Sequence, residues 1–372
     1  MFTMHSTLLV GQYDWDESRL PKAEFAERIG AFWESFADQD CAGIAVYGDR
    51  RNNAELAYFS HLVPKLQDAV MLLPRNGSPR LLVGGGKNAM PTAARQTWVA
   101  IEPLGDLIKA VAQWTADLKG KVAFVGDEYL RGPAHKGVSD AVGRGGLSAQ
   151  AAATLRGLMQ RKRPREIAAL RDAVAALKAV AAALAGAQRS GSGVTDAIVK
   201  AEHAAHELGV AEVRSLFSAD GGKTLRAFLT PIAKPADPLL AYFAVRHANY
   251  WADGFVTLAS KPGAAQIKAG EILKALLPQI KAGAKGRDLC AFVRAQAQGW
   301  QPHPMIAGSL GNAIGLALEE APLLGVDSDA PVQAGSVMSV RVGLTDGKGQ
   351  NAIVSALVLV NALGNELLWS AV

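Results

Sequence analysis

A change in sequence pattern near Thr154 most constrains the fold of this chain. Before it, short apolar runs typical of buried strands alternate with segments of helical spacing, whereas after it the chain begins a long alanine-rich helix. At 372 residues the chain is also long for a single hydrophobic core. The pattern therefore predicts an α/β (α+β) protein with two domains, 1–155 and 156–372.

Local patterns predict the main helices and strands. The Asn76-Gly77 pair between two apolar runs is a strong hairpin signal, Pro164 is acceptable in a first helical turn, and Gly209 is a helix stop. We predict helices over 161–188 and 195–208, with shorter ones elsewhere. The remaining predicted helices are 21–39, 271–277 and 289–298, and the predicted strands are 41–47, 68–74, 80–84, 122–126, 239–245, 250–258, 336–342, 352–360 and 366–370.

Composition excludes several kinds of partner. The 39 Lys and Arg residues outnumber the 34 Asp and Glu residues only slightly, and apart from 161–165 they form no basic run, so no nucleic-acid partner is expected. Cys41 and Cys290 lie far apart, which argues against a disulfide framework and favours a reducing cytoplasm. The sequence has no secretion signal and no uncharged apolar run of about 18 residues. We therefore predict a cytoplasmic protein without a membrane partner.

The run 308–322, GSLGNAIGLALEEAP, carries the most specific motif. It resembles the GHGIGLxxHEAP segment of the pita-bread hydrolases, the superfamily of creatinase, prolidase and aminopeptidase P. In that family the first His of the segment binds a metal ion, and here the position holds Asn312. An amide is a poor ligand for a catalytic transition metal, which imidazole and carboxylate groups normally hold.

Four further segments resemble the same superfamily, in the order expected along the chain. Residues 162–171 resemble its K-x-x-x-E-I-x-x-[ML]-R element, and 52–61 resemble its N-x-x-Y-L-T/S-G segment. Residues 249–253 resemble G-Y-x-x-D, and 334–342 resemble P-G-M-V-F-T-I-E-P. The resemblance implies a small creatinase-like domain over 1–155, a pita-bread domain over 156–372, and assembly as a homodimer.

The resemblance also locates the two-metal site of the family, which uses Asp, Asp, His, Glu and Glu. Carried over by motif, these positions hold Tyr242, Asp253, Asn312, Arg341 and Ser355, so four of the five ligands are replaced. Arg341 would bring a permanent positive charge to the place where a dication should bind. Two such charges repel strongly at close range. We therefore predict that the protein holds no metal, and we expect no other cofactor.

The polar residues that remain predict a cleft for a small charged metabolite. Its substrate-binding candidates are Arg226, Tyr242, Asp253, Asn312, Arg341 and Ser355, and its catalytic candidates are Glu319, Glu320 and His61. Arg226 and Arg341 could hold a carboxylate, while a glutamate could bind a cation or act as general base. Adjacent strand residues point to opposite faces, so at most one glutamate enters the cleft. Alternatively, Arg341 and Asp253 form a buried ion pair that fills the former metal site.

The histidines leave several alternatives open. His61 belongs to a segment that reaches into the partner's active site in creatinase-like dimers, and an imidazole suits a general base at neutral pH. His303 lies between two prolines in a loop that could bring it into the cleft. His203 and His206 have His-x-x-His spacing without a third ligand, which favours a surface position.

Two functions of different classes follow from this site. The first is a metal-independent hydrolase, creatinase-like in its logic, that cleaves a C–N or amide bond of a small charged metabolite. The second is a catalytically inactive homologue that uses the old cleft to bind a small ligand or a protein. A conventional Xaa-Pro dipeptidase or aminopeptidase ranks third, because its metal ligands would have to come from elsewhere in the chain.

Overall fold

The computed structural model describes residues 14–64, 68–86, 89–143, 147–228 and 230–372. The chain divides into two compact units, Met1–Met159 and Gln160–Val372. The predicted boundary between 155 and 156 precedes this division and falls inside a helix. Within the described ranges, no helix is both long enough and apolar enough to cross a membrane.

The first unit contains a five-stranded mixed sheet. In the order β4-β3-β2-β1-β5, strand β1 lies between β2 and β5, and it pairs antiparallel with β2 and parallel with β5. The strands are β1 (Gly43–Gly48), β2 (Ala69–Pro74), β3 (Arg80–Val83), β4 (Ile101–Pro103) and β5 (Val122–Val125). The helices are α1 (Lys22–Ser35), α2 (Ala54–Ser60), α3 (Met90–Ala94), α4 (Leu107–Asp117), α5 (Pro133–Val142) and α6 (Leu147–Gln160), the last of which ends at the division.

Apolar runs that are buried along their whole length form the side of this sheet that contains β1 and β5. Every residue of β1 and β5 is buried, as expected of strands covered on both faces. Tyr47 and Phe124 pack with Trp114 of α4 and Val138 of α5 in one core cluster. The first unit therefore has a hydrophobic core of its own.

The second unit begins with two long helices and continues with two antiparallel sheets. Its helices are α7 (Pro164–Arg189), α8 (Val194–His206), α9 (Ala264–Leu276) and α10 (Gly286–Gln296). Its strands are β6 (Glu212–Ser218), β7 (Leu239–His247), β8 (Tyr250–Leu258), β9 (Gln301–Pro302), β10 (Ser309–Ala313), β11 (Glu320–Gly325), β12 (Val337–Thr345), β13 (Asn351–Val360) and β14 (Asn365–Ser370). One sheet has the order β6-β7-β8, and the other has the order β11-β10-β12-β13-β14, with β9 beside β12.

The start of α7 shows what two residues of the 162–171 motif do in the structure. Pro164 occupies the first turn, where a missing N–H costs nothing. The buried Glu166 carboxylate accepts a hydrogen bond of 3.1 Å from the backbone N–H of Arg163 and one of 3.2 Å from the hydroxyl of Tyr250. One carboxylate thus caps the helix and fixes it to the first residue of β8.

The two faces of β12 and β13 have different partners. Alternate residues on one face, among them Val342 and Val354, pack against Ile272 of α9 and Leu289 of α10. On the other face, strand β13 is bound to β8 of the three-stranded sheet. The Thr257 hydroxyl donates to the carbonyl of Ile353 at 2.8 Å and accepts from its N–H at 3.0 Å. The second face is therefore the one on which the two sheets bring polar side chains together.

The sequence patterns did not predict strands β6, β9, β10 and β11 of the second unit. Strand β6 (EVRSLFS) contains two charged residues and two serines, so it lacks a continuous apolar run. Strand β10 (SLGNA) contains Gly311 and Asn312, residue types that are depleted in strands. Pairing with neighbouring strands decides the conformation of both segments, and such pairing is not a local property of the sequence.

Candidate functional site

Strand register gathers polar side chains on one face of the three-stranded sheet. Tyr242 of β7 pairs with Phe255 of β8, and Ala244 pairs with both Asp253 and Arg214. Residues directly opposite each other in an antiparallel pair project to the same face. Tyr242, Asp253 and Arg214 therefore share one face. Arg214 was absent from the sequence prediction, because its strand was not recognised.

Strand β12 supplies the other half of the site. Ser339 and Arg341 alternate on the face opposite the hydrophobic core. Arg341 donates from Nη2 to the Ser309 hydroxyl at 3.3 Å, and its guanidinium carbon lies 5.9 Å from the centre of the Phe255 ring. We call Tyr242, Asp253, Ser309, Ser339 and Arg341 the polar cluster.

Asp253 is the most deeply buried member of the polar cluster. Only 2% of it is exposed, and its Oδ2 accepts a hydrogen bond of 3.0 Å from the Tyr242 hydroxyl. Burial raises the pKa of Asp253, while the Ser339 hydroxyl, the Arg341 charge and the Tyr242 hydroxyl oppose the rise. The Ser339 hydroxyl lies close enough to this carboxyl group to lower its pKa. Even so, Oδ1 has no hydrogen bond of good geometry to any described residue.

Tyr242 shares the environment of its carboxylate partner. Burial raises the pKa of Tyr242 far above its usual value, and the charge of Asp253 and the hydrogen bond to it act in the same direction. The charges of Arg341 and Arg214 oppose this rise. Both arginines therefore lie close enough to the Tyr242 hydroxyl to act on it electrostatically, although Arg214 remains half-exposed at 54% of its side chain.

The predicted ion pair between Arg341 and Asp253 is wrong as a direct contact. Arg341 acts on Asp253 through its charge, but Arg341 donates its hydrogen bond to Ser309, and Asp253 accepts one from Tyr242. The buried Nε of Arg341 has no hydrogen-bond partner among the described residues. Two oppositely charged groups thus face the same region, each with an unsatisfied polar atom.

Ser355 and Asn312, two predicted binding residues, already have structural partners. The Ser355 hydroxyl accepts from the backbone N–H of Phe255 at 2.6 Å and donates to the carbonyl of Phe255 at 3.2 Å, which ties β13 to β8. The Asn312 amide donates to the carbonyls of Ala313 at 2.9 Å and Leu318 at 3.1 Å. Both side chains hold backbone segments in place.

The adjacent glutamates have opposite environments. Glu319 is exposed. The Glu320 carboxylate forms a buried ion pair with Lys162, with 8% and 1% of the two side chains exposed, and it accepts from the backbone N–H of Ala317 at 3.1 Å. Gly315 makes room for this pair, because a Cβ there would lie 2.5 Å from the Lys162 ammonium. The sequence indicated Lys162 only as the first residue of the helix motif, and it did not predict the partner of this side chain.

The other predicted residues lie outside the polar cluster. Arg226 is exposed, and its backbone pairs with that of Phe217. His61 belongs to the first unit, where it is buried and its Nδ1 lies 3.0 Å from the Gln96 carbonyl oxygen. His303 is buried too: its Nδ1 accepts from the N–H of Met305, so its Nε2 donates to the Gly222 carbonyl at 2.6 Å.

The paired histidines of α8 have separate partners. His203 is exposed and lies 3.3 Å from Glu207, while Nδ1 of His206 lies 3.2 Å from the Val210 carbonyl oxygen. Both partners belong to the same helix or to the turn that follows it. This arrangement agrees with the surface position favoured by the sequence.

The side chains at the family's ligand positions do not fit a pair of metal ions. No group of three or more His, Cys, Asp or Glu side chains in the described ranges is arranged to hold a metal. Of the five positions, Ser355 and Asn312 bond to the backbone and Arg341 carries a positive charge. Asp253 is the only one of the five with a carboxylate.

Comparison with known proteins agrees with this architecture. The model of metallopeptidase family M24 matches residues 168–362, which is more than half of the chain. Among solved structures, dipeptidase PepE from Mycobacterium ulcerans has a TM-score of 0.74 at 18% identity, with 94% of this chain and 96% of that chain covered. The prolidase from Thermococcus sibiricus has a TM-score of 0.73 at 14% identity, with coverage of 94% and 97%.

A third structure, the X-Pro aminopeptidase from Thermotoga maritima MSB8, has a TM-score of 0.70 at 18% identity, with 90% of this chain and 97% of that chain covered. Comparison with curated protein sequences gives no match. The fold is thus a pita-bread fold with an N-terminal domain, which confirms the predicted fold class. The chain belongs to metallopeptidase family M24.

The buried carboxyl of Asp253 predicts a pH-dependent stability. Because its pKa is raised in the folded protein, its contribution is fully present below the unfolded value of about 4 and is lost as pH rises through the folded-state pKa. We therefore expect Asp253→Asn to gain stability relative to the parent protein as pH increases from about 4 to about 8. Thermal unfolding of both proteins across this range measures the difference, and a pH-independent difference would contradict the expectation.

Asp346 provides a control of opposite sign for this measurement. Backbone N–H groups of Lys348 and Gln350 lower the pKa of this exposed carboxylate. Its contribution is present above the unfolded value and is lost as pH falls. Asp346→Asn should therefore lose stability relative to the parent protein as pH rises through about 4, so this control is measured from about pH 3 to about pH 6.

Proposed function

We propose that this protein is a metal-independent member of family M24 that binds a small charged metabolite at the polar cluster and does not hydrolyse peptides. The observation that supports the proposal is the pair of unsatisfied atoms, Oδ1 of Asp253 and Nε of Arg341. Leaving a buried polar group unpaired costs about 1–3 kcal/mol, and more when the group is charged. A ligand that forms hydrogen bonds with both atoms would remove this cost when it binds.

The predicted catalytic groups favour binding over hydrolysis. The Glu320 carboxylate is neutralised by Lys162, Glu319 is exposed, and His61 bonds to a backbone carbonyl inside the first unit. Both ring nitrogens of His303 are also engaged. A general base must reach the proton that it removes, and these four side chains are committed elsewhere or directed into solvent.

The test uses protein purified without chelator and then assayed with Xaa-Pro dipeptides, with and without added Mn²⁺ or Co²⁺. We expect no hydrolysis above the protein-free control under either condition, because the ligand positions cannot neutralise two dications. Elemental analysis of the same sample should find well under one transition-metal ion per chain. Hydrolysis that depends on added metal, or two tightly bound ions, would overturn the proposal.

The second candidate is a metal-independent hydrolase of a C–N or amide bond. One observation favours it: the raised pKa of Asp253, beside the Tyr242 hydroxyl, resembles the tuning of acid–base groups in enzymes. Incubation with amides, N-acyl amino acids and guanidino compounds, followed by mass spectrometry, would reveal turnover. Turnover that Asp253→Asn abolishes would establish the hydrolase, whereas binding without turnover supports the non-catalytic protein.

The homodimer and the cytoplasmic location inferred from the family resemblance and from the composition stay predictions. Light scattering at micromolar concentration tests the first of them, and a monomer would contradict it.

A further inference from the structure

We propose that the polar cluster binds a small carboxylate that also carries an N–H group, with Arg341 as the anchor of the carboxylate. The inference rests on the proposed function, because it names the class of ligand that the cluster would take. A free amino acid and an N-acyl amino acid both have this chemistry.

The charge balance around the cluster favours an anion. Three arginines lie on or beside the shared face: Arg341, Arg214 and Arg246. Glu212 neutralises part of this charge, since it accepts from Arg214 at 2.8 Å and lies 4.0 Å from Arg246. Asp253 contributes at most one further negative charge. The three positive charges therefore exceed the two negative ones, the reverse of a site built from carboxylates to hold cations.

The free hydrogen-bonding groups specify how such an anion binds. The guanidinium of Arg341 has five N–H donors in a planar fork, and the buried Nε–H is unused while one Nη2 contact goes to Ser309. A carboxylate matches the fork in a bidentate arrangement. Arg341 and Tyr242 keep part of their surface exposed, whereas Nε of Arg341 and Oδ1 of Asp253 are covered. A ligand would therefore enter from the exposed side of Arg341 and displace the atoms that cover Nε and Oδ1.

Asp253 supplies the second point of recognition. Its Oδ1 lacks a hydrogen bond of good geometry within the described ranges, while its Oδ2 is held by Tyr242. An N–H group of the ligand would satisfy Oδ1. A ligand with a carboxylate and an N–H group would therefore form hydrogen bonds with both Arg341 and Asp253. A simple anion would form them with Arg341 alone.

Arg214 is placed to assist as a second cation. It lies on the same face as Asp253, and its charge acts on Tyr242. Two of its N–H contacts go to Glu212, at 2.9 and 2.8 Å, which leaves further donors available. Because the side chain is half-exposed, its charge is screened more by salt than that of Arg341.

The test measures binding of the amino acids and their N-acetyl derivatives by calorimetry or thermal shift, each beside its carboxamide counterpart. We expect at least one carboxylate to bind, and its carboxamide to bind about 30-fold more weakly or worse, as expected when a charged contact is lost. Acetate, which lacks the N–H, should bind more weakly than the selected ligand. Equal binding of the carboxylate and the carboxamide would overturn the inference.

Variants locate the site. Arg341→Gln should weaken binding of the selected ligand about 30-fold or more, and Arg341→Lys should restore it only in part because it lacks the planar fork. Arg189→Gln, which removes an exposed arginine at the end of α7, should leave the affinity unchanged. Unchanged affinity in Arg341→Gln would overturn the inference.

The inference can still be tested if Arg341→Gln does not fold or if no carboxylate binds. If Arg341→Gln fails to fold, Arg214→Gln changes an exposed residue and should still lower the affinity and its dependence on NaCl; an unchanged affinity there would overturn the inference. If no carboxylate binds at about 10 mM, weaker than most specific small-ligand affinities, the anion site is rejected. That failure leaves the absence of metal-dependent peptidase activity untouched, which the dipeptide assay tests separately.

Discussion

Lys162→Met is expected to destabilise the second unit by about 3–5 kcal/mol, because it leaves the buried Glu320 carboxylate without its counter-charge. Both side chains are almost wholly buried, so water cannot solvate the remaining charge. Chemical denaturation at neutral pH measures the change in the free energy of unfolding. A loss below about 1 kcal/mol, the range of exposed pairs, would show that the pair is accessible to solvent.

The double variant Lys162→Met, Glu320→Gln separates the pair from other roles of Lys162. Removing both charges avoids the isolated carboxylate, so much of the lost stability should return. Lys136→Met provides a matched control, since Lys136 forms an exposed ion pair with Asp140 at 2.7 Å on α5. We expect that control to leave the stability of the protein nearly unchanged, because water screens an exposed ion pair.

Gly311→Ala is expected to cost about 2–6 kcal/mol. Gly311 has a φ of +134°, and a Cβ at this position would lie 1.9 Å from the carbonyl oxygen of Ser339 on the paired strand β12. Strained backbone costs about 1–3 kcal/mol and overpacking a similar amount. Because the clash involves backbone rather than a flexible side chain, the strands must separate to relieve it.

Gly308→Ala is the matched control for this variant. Gly308 also has a positive φ, +81°, but no atom lies within 4 Å of the position of its Cβ. It should therefore lose only about 1–2 kcal/mol, the cost of the left-handed conformation. The difference in free energy of unfolding between the two variants measures the clash between the Cβ of residue 311 on β10 and the Ser339 carbonyl oxygen on β12. Equal losses of stability would contradict this close approach.

The side chains at the family's ligand positions differ in how much of their hydrogen-bonding capacity is already used. The sequence identified Tyr242, Asp253, Asn312, Arg341 and Ser355 as the side chains that replace or retain the family's ligands. It did not show that Ser355 and Asn312 bond to the backbone while Asp253 and Arg341 keep unsatisfied atoms. Residue type limits what a side chain can bind, whereas its neighbours decide whether that capacity is already used.

Residues brought in from distant segments escaped prediction for the same reason. Arg214 shares a face with Asp253 through the register of three strands, and Lys162 meets Glu320 across 158 positions of sequence. Neither relation has a local pattern. A single shift in strand register would move Arg214 to the opposite face of the sheet.

The sequence by itself determined the long helices, most apolar strands and membership of the pita-bread superfamily, because periodicity and short motifs are local properties of the chain. It also determined that the metal-binding residue types are largely absent. The tertiary structure alone decided that Glu320 is paired with Lys162 and that Asp253 and Arg341 face one region without contacting each other. Those relations depend on burial and on strand register, which arise only when distant segments pack together.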